Sequence, residues 1–267
     1  LKSRILLCSI YLIFINSGII FTSSPTIAQE VNRSWANHAF GVSEKLNFNI
    51  DYAFITAGYA EISIDTMIEI GGRQCYQVVS KVRSNKVFDI VFKVRDRVET
   101  NIDVRGIYSR RYFKQLQEGK YRDIREVIYE PERGLAHLLI KGVYKETTKI
   151  ESCAQDILSA LFFVRTLEFD VGDTININLH DMTKSYPLKV RVNRRERVQV
   201  PAGEFDCLVV EPFLETEGMF RSKGKIELWL TDDERKIPVL MRTEIAIIGY
   251  IDAKLAQYIP GKPVELK

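Results

Sequence analysis

The chain has 267 residues, 46% of them hydrophobic and 27% charged, with a formal net charge of +3. That hydrophobic share supports a real core, and the charged share is ordinary. Basic residues lie beside acidic ones instead of forming a stripe, so a nucleic-acid partner is not expected.

Lys2 and Arg4 give a positive start, and an uncharged run follows from Ile5 to Ala28, apolar mainly to Phe21. Thr26-Ile27-Ala28 supplies small residues before Gln29. These three parts predict a cleaved secretory signal peptide over residues 1–28. The apolar core is slightly short for a membrane span, and no basic stop-transfer cluster follows it. Removing 28 of 267 residues leaves 239, and losing Lys2 and Arg4 takes the charge from +3 to +1. The expected location is therefore outside the cytoplasm, periplasmic or extracellular, without ATP and with little free nicotinamide cofactor. No transmembrane span is expected after cleavage.

Residues 29–43 are polar and aperiodic and read as a flexible leader. From Glu44 the pattern changes. Leu46, Phe48, Ile50, Tyr52 and Phe54 alternate with Asn47, Asn49, Asp51 and Ala53, the period of a half-buried strand. Gly58 is read as the turn before a strand through Ala60, Ile62 and Ile64, and Gly71-Gly72 marks the next hairpin. Tyr76, Val78 and Val82 give a third strand. Phe92, Val94, Val98 and Ile102 form the inner phase of the next alternation. Strands are then predicted at 108–117, 122–129 and 135–140.

One helix interrupts the strands. Ser152 and Gln155 have capping-box spacing, and Ile157, Leu158, Leu161 and Phe162 fall on one helical stripe. Strands resume at 174–179, 188–192, 198–200, 207–211, 226–230, 239–247 and 254–258. The tail, 260–267, is polar. Connections are short and no linker appears, so residues 44–259 read as a single domain. The predicted fold is mainly β, a strongly curved antiparallel sheet, or half-open barrel, packed around one amphipathic helix.

Candidate chemistry is sparse. Cys75, Cys153 and Cys207 remain after cleavage, an odd number. Three unpaired thiols are favoured, with one bridge plus one free thiol as the alternative. Cys153 near His180-Asp181 is the one tempting nucleophilic set, but no Gly-x-Ser-x-Gly elbow or metal-ligand spacing is present. Asp232-Asp233 lies in a turn, where Asp is favoured for local hydrogen bonds. No catalytic group, metal or cofactor is therefore expected. Asp96 shares the apolar phase of its strand, so its carboxylate either pairs with an arginine, for which Arg165 at the helix end is a candidate, or makes a polar contact inside a ligand cavity, and both residues count among the candidate ligand-binding residues. The aromatics Phe48, Tyr52, Tyr76 and Phe92 point inward and are the expected wall of a ligand cavity.

Gln155-Asp156-Ile157-Leu158-Ser159-Ala160-Leu161 and the run from Trp229 to Pro238 give the chain its resemblance. So do the Glu44–Phe48 strand, Ala57–Ala60, Asp96 and Val200–Cys207. With these pieces it resembles the bacterial domain-of-unknown-function 3108 family of exported proteins, from about Phe40 to Tyr258. The resemblance implies a curved antiparallel sheet around a helix, similar to periplasmic lipoprotein carriers, although only one helix is evident here. It implies no activity. The expected function is non-catalytic binding of a lipid or other hydrophobic small molecule in the barrel concavity. The alternative is an interaction module that docks an envelope protein by strand addition. A hydrolase is a more distant third.

Overall fold

A computed structural model describes residues 33–214, 225–245 and 249–264. The predicted signal peptide lies outside the described residues, as do 29–32 of the leader and 265–267 of the tail. Eight strands come first: β1 (Lys45–Tyr52), β2 (Ile55–Ile70), β3 (Arg73–Ser84), β4 (Arg95–Asp103), β5 (Ser109–Glu118), β6 (Tyr121–Glu130), β7 (Leu135–Ile140) and β8 (Val143–Lys149). Helix α1 (Lys86–Val91) lies between β3 and β4, and helix α2 (Ile157–Arg165) follows β8. Then come β9 (Thr174–Asp181), β10 (Lys184–Val200), β11 (Gly203–Leu214), β12 (Ile226–Thr231), β13 (Pro238–Ile245) and β14 (Gly249–Ile259).

All fourteen strands form one antiparallel sheet, ordered β8-β7-β6-β5-β4-β3-β2-β1-β14-β13-β12-β11-β10-β9. Each neighbour in the sheet is a neighbour in sequence, except that β1 pairs with β14, with Leu46 opposite Tyr258 and Phe48 opposite Leu255. Two meanders are thus welded along one seam. Their outer strands, β8 and β9, do not pair, so the sheet curls into a half-open barrel and never closes. The chain passes from one free edge to the other through α2, which lies in the concavity.

The unclosed edges are bridged by other means. Gln155 forms a parallel bridge to Leu179 of β9, donating from N to Asn178 O at 2.8 Å and accepting at O from His180 N at 2.8 Å. Its Nε2 donates to Ile107 O at 2.6 Å, across to the first meander. Tyr129 of β6 donates its hydroxyl to His180 O at 3.3 Å, and Thr148 of β8 meets His180 Nε2 at 3.1 Å. An exposed strand edge invites further pairing. Here the β9 edge is partly occupied by the chain's own lead-in to α2.

Local readings change in physically instructive ways. The β1–β2 turn is Ala53-Phe54, both at positive φ (47° and 69°), and not Gly58. Gly58 lies inside β2, where a Cβ would come within 2.4 Å of Arg83 O, so it is there for backbone approach. Phe92 does not begin a strand. Asn85 accepts hydrogen bonds from Val87 N and Phe88 N and starts α1, and Phe92 is its C-cap. The strand β8 escaped the sequence pattern because Val143–Lys149 is exposed on both faces and so does not alternate. The separate strands at 188–192 and 198–200 are one strand, β10, with a bulge between Val192 and Arg194. The helix cap is also displaced. Asp156, not Ser152, is the N-cap: its carboxylate accepts from Leu158 N and Ser159 N, and Ser159 Oγ accepts from Asp156 N at 2.9 Å. Gln155 is left free to make the bridge.

The stretch read as a flexible leader is, from Trp35, a plug. Phe40 is wholly buried between Tyr76 and Phe162, with ring centroids at 5.3 and 4.8 Å. Trp35 packs on Phe163 at 5.5 Å. The tail contributes too: Lys262 bridges Val42, and Gly41 and Gly261 cross so closely that a Cβ on Gly261 would meet Gly41 O at 2.3 Å.

The plugged end is held by a buried ion pair. Arg165, the last residue of α2, donates from both terminal nitrogens to Glu44 (2.9 and 2.7 Å), and neither side chain is exposed. Arg165 also donates to Arg235 O and Ala39 O, each at 3.1 Å. Tyr258 donates its hydroxyl to Glu44 at 3.1 Å. The guanidinium lies 5.5 and 5.1 Å from the ring centroids of Phe40 and Phe162. Arg165→Met removes one partner and leaves the carboxylate of Glu44 in a dry site. The expected loss is about 3–5 kcal/mol of unfolding free energy, read from urea denaturation. A loss under about 1 kcal/mol would show that the pair does not anchor the helix.

Candidate functional site

The interior has two characters. Beneath α2, between the helix and the strands of both meanders, lies an apolar cleft. Its volume is about 130 Å³, and it is partly open to solvent. Ile157, Leu158, Ala160, Leu161 and Val164 of α2 form one wall. The other wall runs from Phe48 of β1 and Val82 of β3 round to Val210, Leu228 and Met241 of the second meander. Among the described lining residues only Ser80 and Thr243 have polar side chains. Ile157, Leu161, Pro212, Ile226 and Leu228 are half-buried and mark where the cleft meets solvent. The helix stripe that the sequence predicts is thus real, but Ile157, Leu158 and Leu161 face the cleft while Phe162 is packed against Phe40.

The other half of the interior is polar. Asp156 accepts from Thr100 Oγ1 as well as from its own helix. Burial pushes its carboxyl up, against these hydrogen bonds, which pull it down. His180 is fully buried, and desolvation lowers it to about 4, which keeps the ring neutral at ordinary pH. Asp181 is pushed up to about 6, again chiefly by burial.

The expected wall residues separate. Phe48 lines the cleft. Tyr76 lies in the plug instead, edge-on to Phe40, with Asn37 Nδ2 donating to its hydroxyl at 3.4 Å. Tyr52 sits half-buried at the end of β1, away from the cleft lining. Phe92 covers Gly119, where a Cβ would come within 2.9 Å of its ring. The inward phase was correct for Tyr76, but depth along the strand decides which end it reaches. Arg165 and Asp96 do not meet. Arg165 belongs to Glu44, and Asp96 accepts from Gln117 N at 2.8 Å beside Glu118. Glu44 carried no signal as a partner because it stands at the strand boundary, outside the alternation. The cleft residues on β10–β13 were legible as strands but not as neighbours of Phe48, because only the β1–β14 seam brings them together.

The other candidates resolve into structure. Asp233 accepts from Thr231 Oγ1, Arg235 N and Lys236 N at 2.7, 3.0 and 3.0 Å, shaping its turn. Asp232 pairs with Arg195 at 2.8 Å. Cys75, Cys153 and Cys207 carry free thiols, and burial pushes Cys75 and Cys207 up to about 12. Among the described residues no group of His, Cys, Asp or Glu could hold a metal ion, and no helix is long and apolar enough to cross a membrane.

An open, curled sheet with an apolar cleft under a single helix defines a β-barrel-like protein of the half-open class. The chain belongs to the DUF3108 family of proteins of unknown function, which matches residues 47–256. It is similar in fold to a β-barrel-like protein of the DUF1849 family from Brucella abortus, at 11% identity and a TM-score of 0.55, covering 84% of this chain and 100% of that one. Looser similarity extends to a candidate exported protein with a YmcC-like fold from Bacteroides fragilis (10% identity, TM-score 0.32, 85% and 99% covered). A candidate lipoprotein from Parabacteroides distasonis stands at a similar distance (11% identity, TM-score 0.31, 85% and 100% covered). No curated protein matches. At these identities the likeness concerns fold alone.

Asp96 supplies a test of the polar half. Burial is the main reason that its carboxyl is raised to about 7. The Gln117 N–H opposes the rise, and Glu118 adds to it. An acid raised above its unfolded value, about 4, binds more protons folded than unfolded between those limits. Stability from this group therefore falls as pH climbs from about 4 to about 7. Asp96→Asn keeps an acceptor for Gln117 and removes the titration. The stability of the variant relative to wild type should grow by up to about 1.4 kcal/mol per pH unit across that window. Urea midpoints measured through the window check it, and parallel pH profiles would contradict it.

Proposed function

We propose that this protein is an exported, non-catalytic binder of an apolar, lipid-like ligand, held in the cleft beneath α2 and working in the cell envelope. The observation that carries the reading is the cleft itself: an almost wholly apolar space left open beside a continuous hydrophobic core. Protein interiors normally fill such space, because each missing contact is lost dispersion energy. An acyl chain entering it would gain roughly 0.8 kcal/mol per buried methylene. The cleft volume of about 130 Å³ is close to the roughly 150 Å³ of an engineered apolar cavity that accepts benzene. The end of a chain therefore fits as the cleft stands, and a longer ligand would extend through the half-buried mouth.

Export is the second element of the proposal, and it rests on the signal-peptide pattern of residues 1–28. The interaction-module alternative has less support. Strand addition favours an uncharged edge, whereas β8 carries Lys145, Glu146 and Lys149 and β9 is engaged by Gln155. A hydrolase is supported less still, since Asp232 and Asp233 serve an ion pair and a turn.

The ligand reading is tested by native mass spectrometry and lipid extraction of protein taken from its own envelope, together with titration of a fluorescent fatty acid. Leu228→Trp places a larger ring in the mouth. About tenfold or greater weakening of fatty-acid binding is expected, which corresponds to roughly 1.4 kcal/mol. Neither co-purifying lipid nor saturable binding by the wild type would end the proposal.

A further inference from the structure

A second feature lies at the rim of the barrel, outside the cleft. Phe54 is completely exposed (103%), and Ile90, Val91, Val87 and Ile55 are exposed by 86, 81, 71 and 61%. They come from two places that the backbone ties together. Phe54 and Ile55 belong to the β1–β2 turn, and the three aliphatics belong to α1, none of whose residues is buried. Asn85, the N-cap of α1, donates from N to Ala57 O at 2.9 Å and from Nδ2 to Thr56 O at 2.5 Å. The result is one apolar knob.

The knob is costly in two ways. Scattered exposed apolar residues need no explanation, but a cluster does. The turn also places Ala53 and Phe54 in the left-handed region, which bulky side chains rarely adopt, and it does so only to project a phenyl ring into solvent.

The charge around the knob is net positive, although α1 itself carries Asp89. Arg83, Lys86 and Lys93 form no ion pair among the described residues, while the nearby carboxylates are used: Asp51 by Lys254 at 3.0 Å and Asp89 by Arg95 at 2.5 Å. On the outer face below the knob, Arg83 stands directly opposite Arg95, and Lys81 opposite Arg97. Like charges facing each other across a sheet are unfavourable. Glu61 compensates Lys81 at 3.6 Å and Glu99 compensates Arg97 at 2.5 Å, which leaves Arg83 facing Arg95 without an ion pair of its own among the described residues. These residues line a hollow of about 610 Å³ that also includes Glu61, Asp96 and Tyr59, whose ring lies 5.4 Å from the Arg83 guanidinium.

Apolar side chains that protrude beyond a belt of unpaired cations match the layering of a bilayer with anionic headgroups. We propose that the knob of Phe54, Ile55, Val87, Ile90 and Val91 inserts into an anionic phospholipid membrane surface, with Arg83, Lys86, Lys93 and the outer hollow against the headgroups. The docking surface stands apart from the cleft reading. It adds a function to it: strand β3, which carries the cleft-wall residue Val82, runs straight into Asn85 and the knob, so a docked protein would hold that end of its barrel toward the membrane.

The test is co-sedimentation of the protein, purified from its own envelope, with vesicles of phosphatidylethanolamine and phosphatidylglycerol, compared with phosphatidylcholine alone. Wild type should bind the anionic vesicles and lose binding as salt rises. Phe54→Ser with Ile90→Ser should abolish binding with an unchanged thermal midpoint, since both side chains are exposed. Lys86→Glu with Lys93→Glu should weaken it about tenfold or more. Leu228→Trp, which alters the cleft, should bind vesicles as wild type does, so the two proposals fail separately. No binding to anionic vesicles, or equal binding by the Phe54/Ile90 variant, would overturn the inference. So would a self-associated wild type that the same variant converts to monomer without any vesicle binding, because the knob would then be an interface between copies.

Discussion

The buried pair between Arg165 and Glu44 is the constraint on which the rest of this architecture depends. A sheet of fourteen strands that fails to close has no intrinsic reason to hold one curvature. What fixes it is the helix inside, and what fixes the helix is its last residue. Arg165 joins the end of α2 to the start of β1, to the plug at Ala39 and to the β12–β13 turn at Arg235. A charge pair in a dry site is expensive to desolvate, and it persists here because almost every donor and acceptor is used. Its geometric consequence is that α2 is secured at one end. At the other end, Asp156 caps the helix and Gln155 bridges to β9, but the helix face that carries Ile157 and Leu161 is left without full contact.

That asymmetry explains the cleft. The N-cap of α2 meets the first meander through Thr100, and Phe162 and Phe163 pack on the plug. Elsewhere the helix faces aliphatic side chains of β9–β13 together with Phe48, Ala60, Ile62 and Val82 of β1–β3 across a cleft. The gap between them is apolar because the strands that border it alternate in the ordinary way, with their hydrophobic phase inward. No special residue makes the site, which is why its chemistry is generic and suits a flexible apolar chain better than a ligand with many directional groups. The knob at the rim is a different matter: it is made of residues that break the ordinary rules, exposed where they should be buried and left-handed where glycine would be easier.

Legibility followed periodicity. Strands with one wet face, such as β1 and β3, could be read directly, and so could the stripe of α2, because burial on one side leaves a trace every second or every third and fourth residue. Elements without that asymmetry were missed: β8 is exposed on both faces, and α1 buries nothing. The helix cap was placed too early because Ser152 and Gln155 have the right spacing, while Asp156 has the better position for accepting from the first free amides. Asp96 was recognised as an inward carboxylate needing a partner, but the partner was misassigned. Nothing in the sequence indicates that the Arg165 guanidinium and the Asp96 carboxylate lie in different parts of the barrel.

The sequence by itself determined the class of fold, its antiparallel pairing, the position of the one core helix and the family. These are local properties, set by side-chain alternation, turn residues and short connections. Only the tertiary structure decided that β1 joins β14, that the leader plugs one end and that Arg165 meets Glu44. It also decided that Phe48 faces a cleft while Tyr76, on the same inward phase, is packed solid. Those outcomes depend on contacts between residues far apart in the chain. The free energy of such contacts comes from burial and desolvation, which are properties of the assembled interior and leave no periodic mark on the segments that meet there.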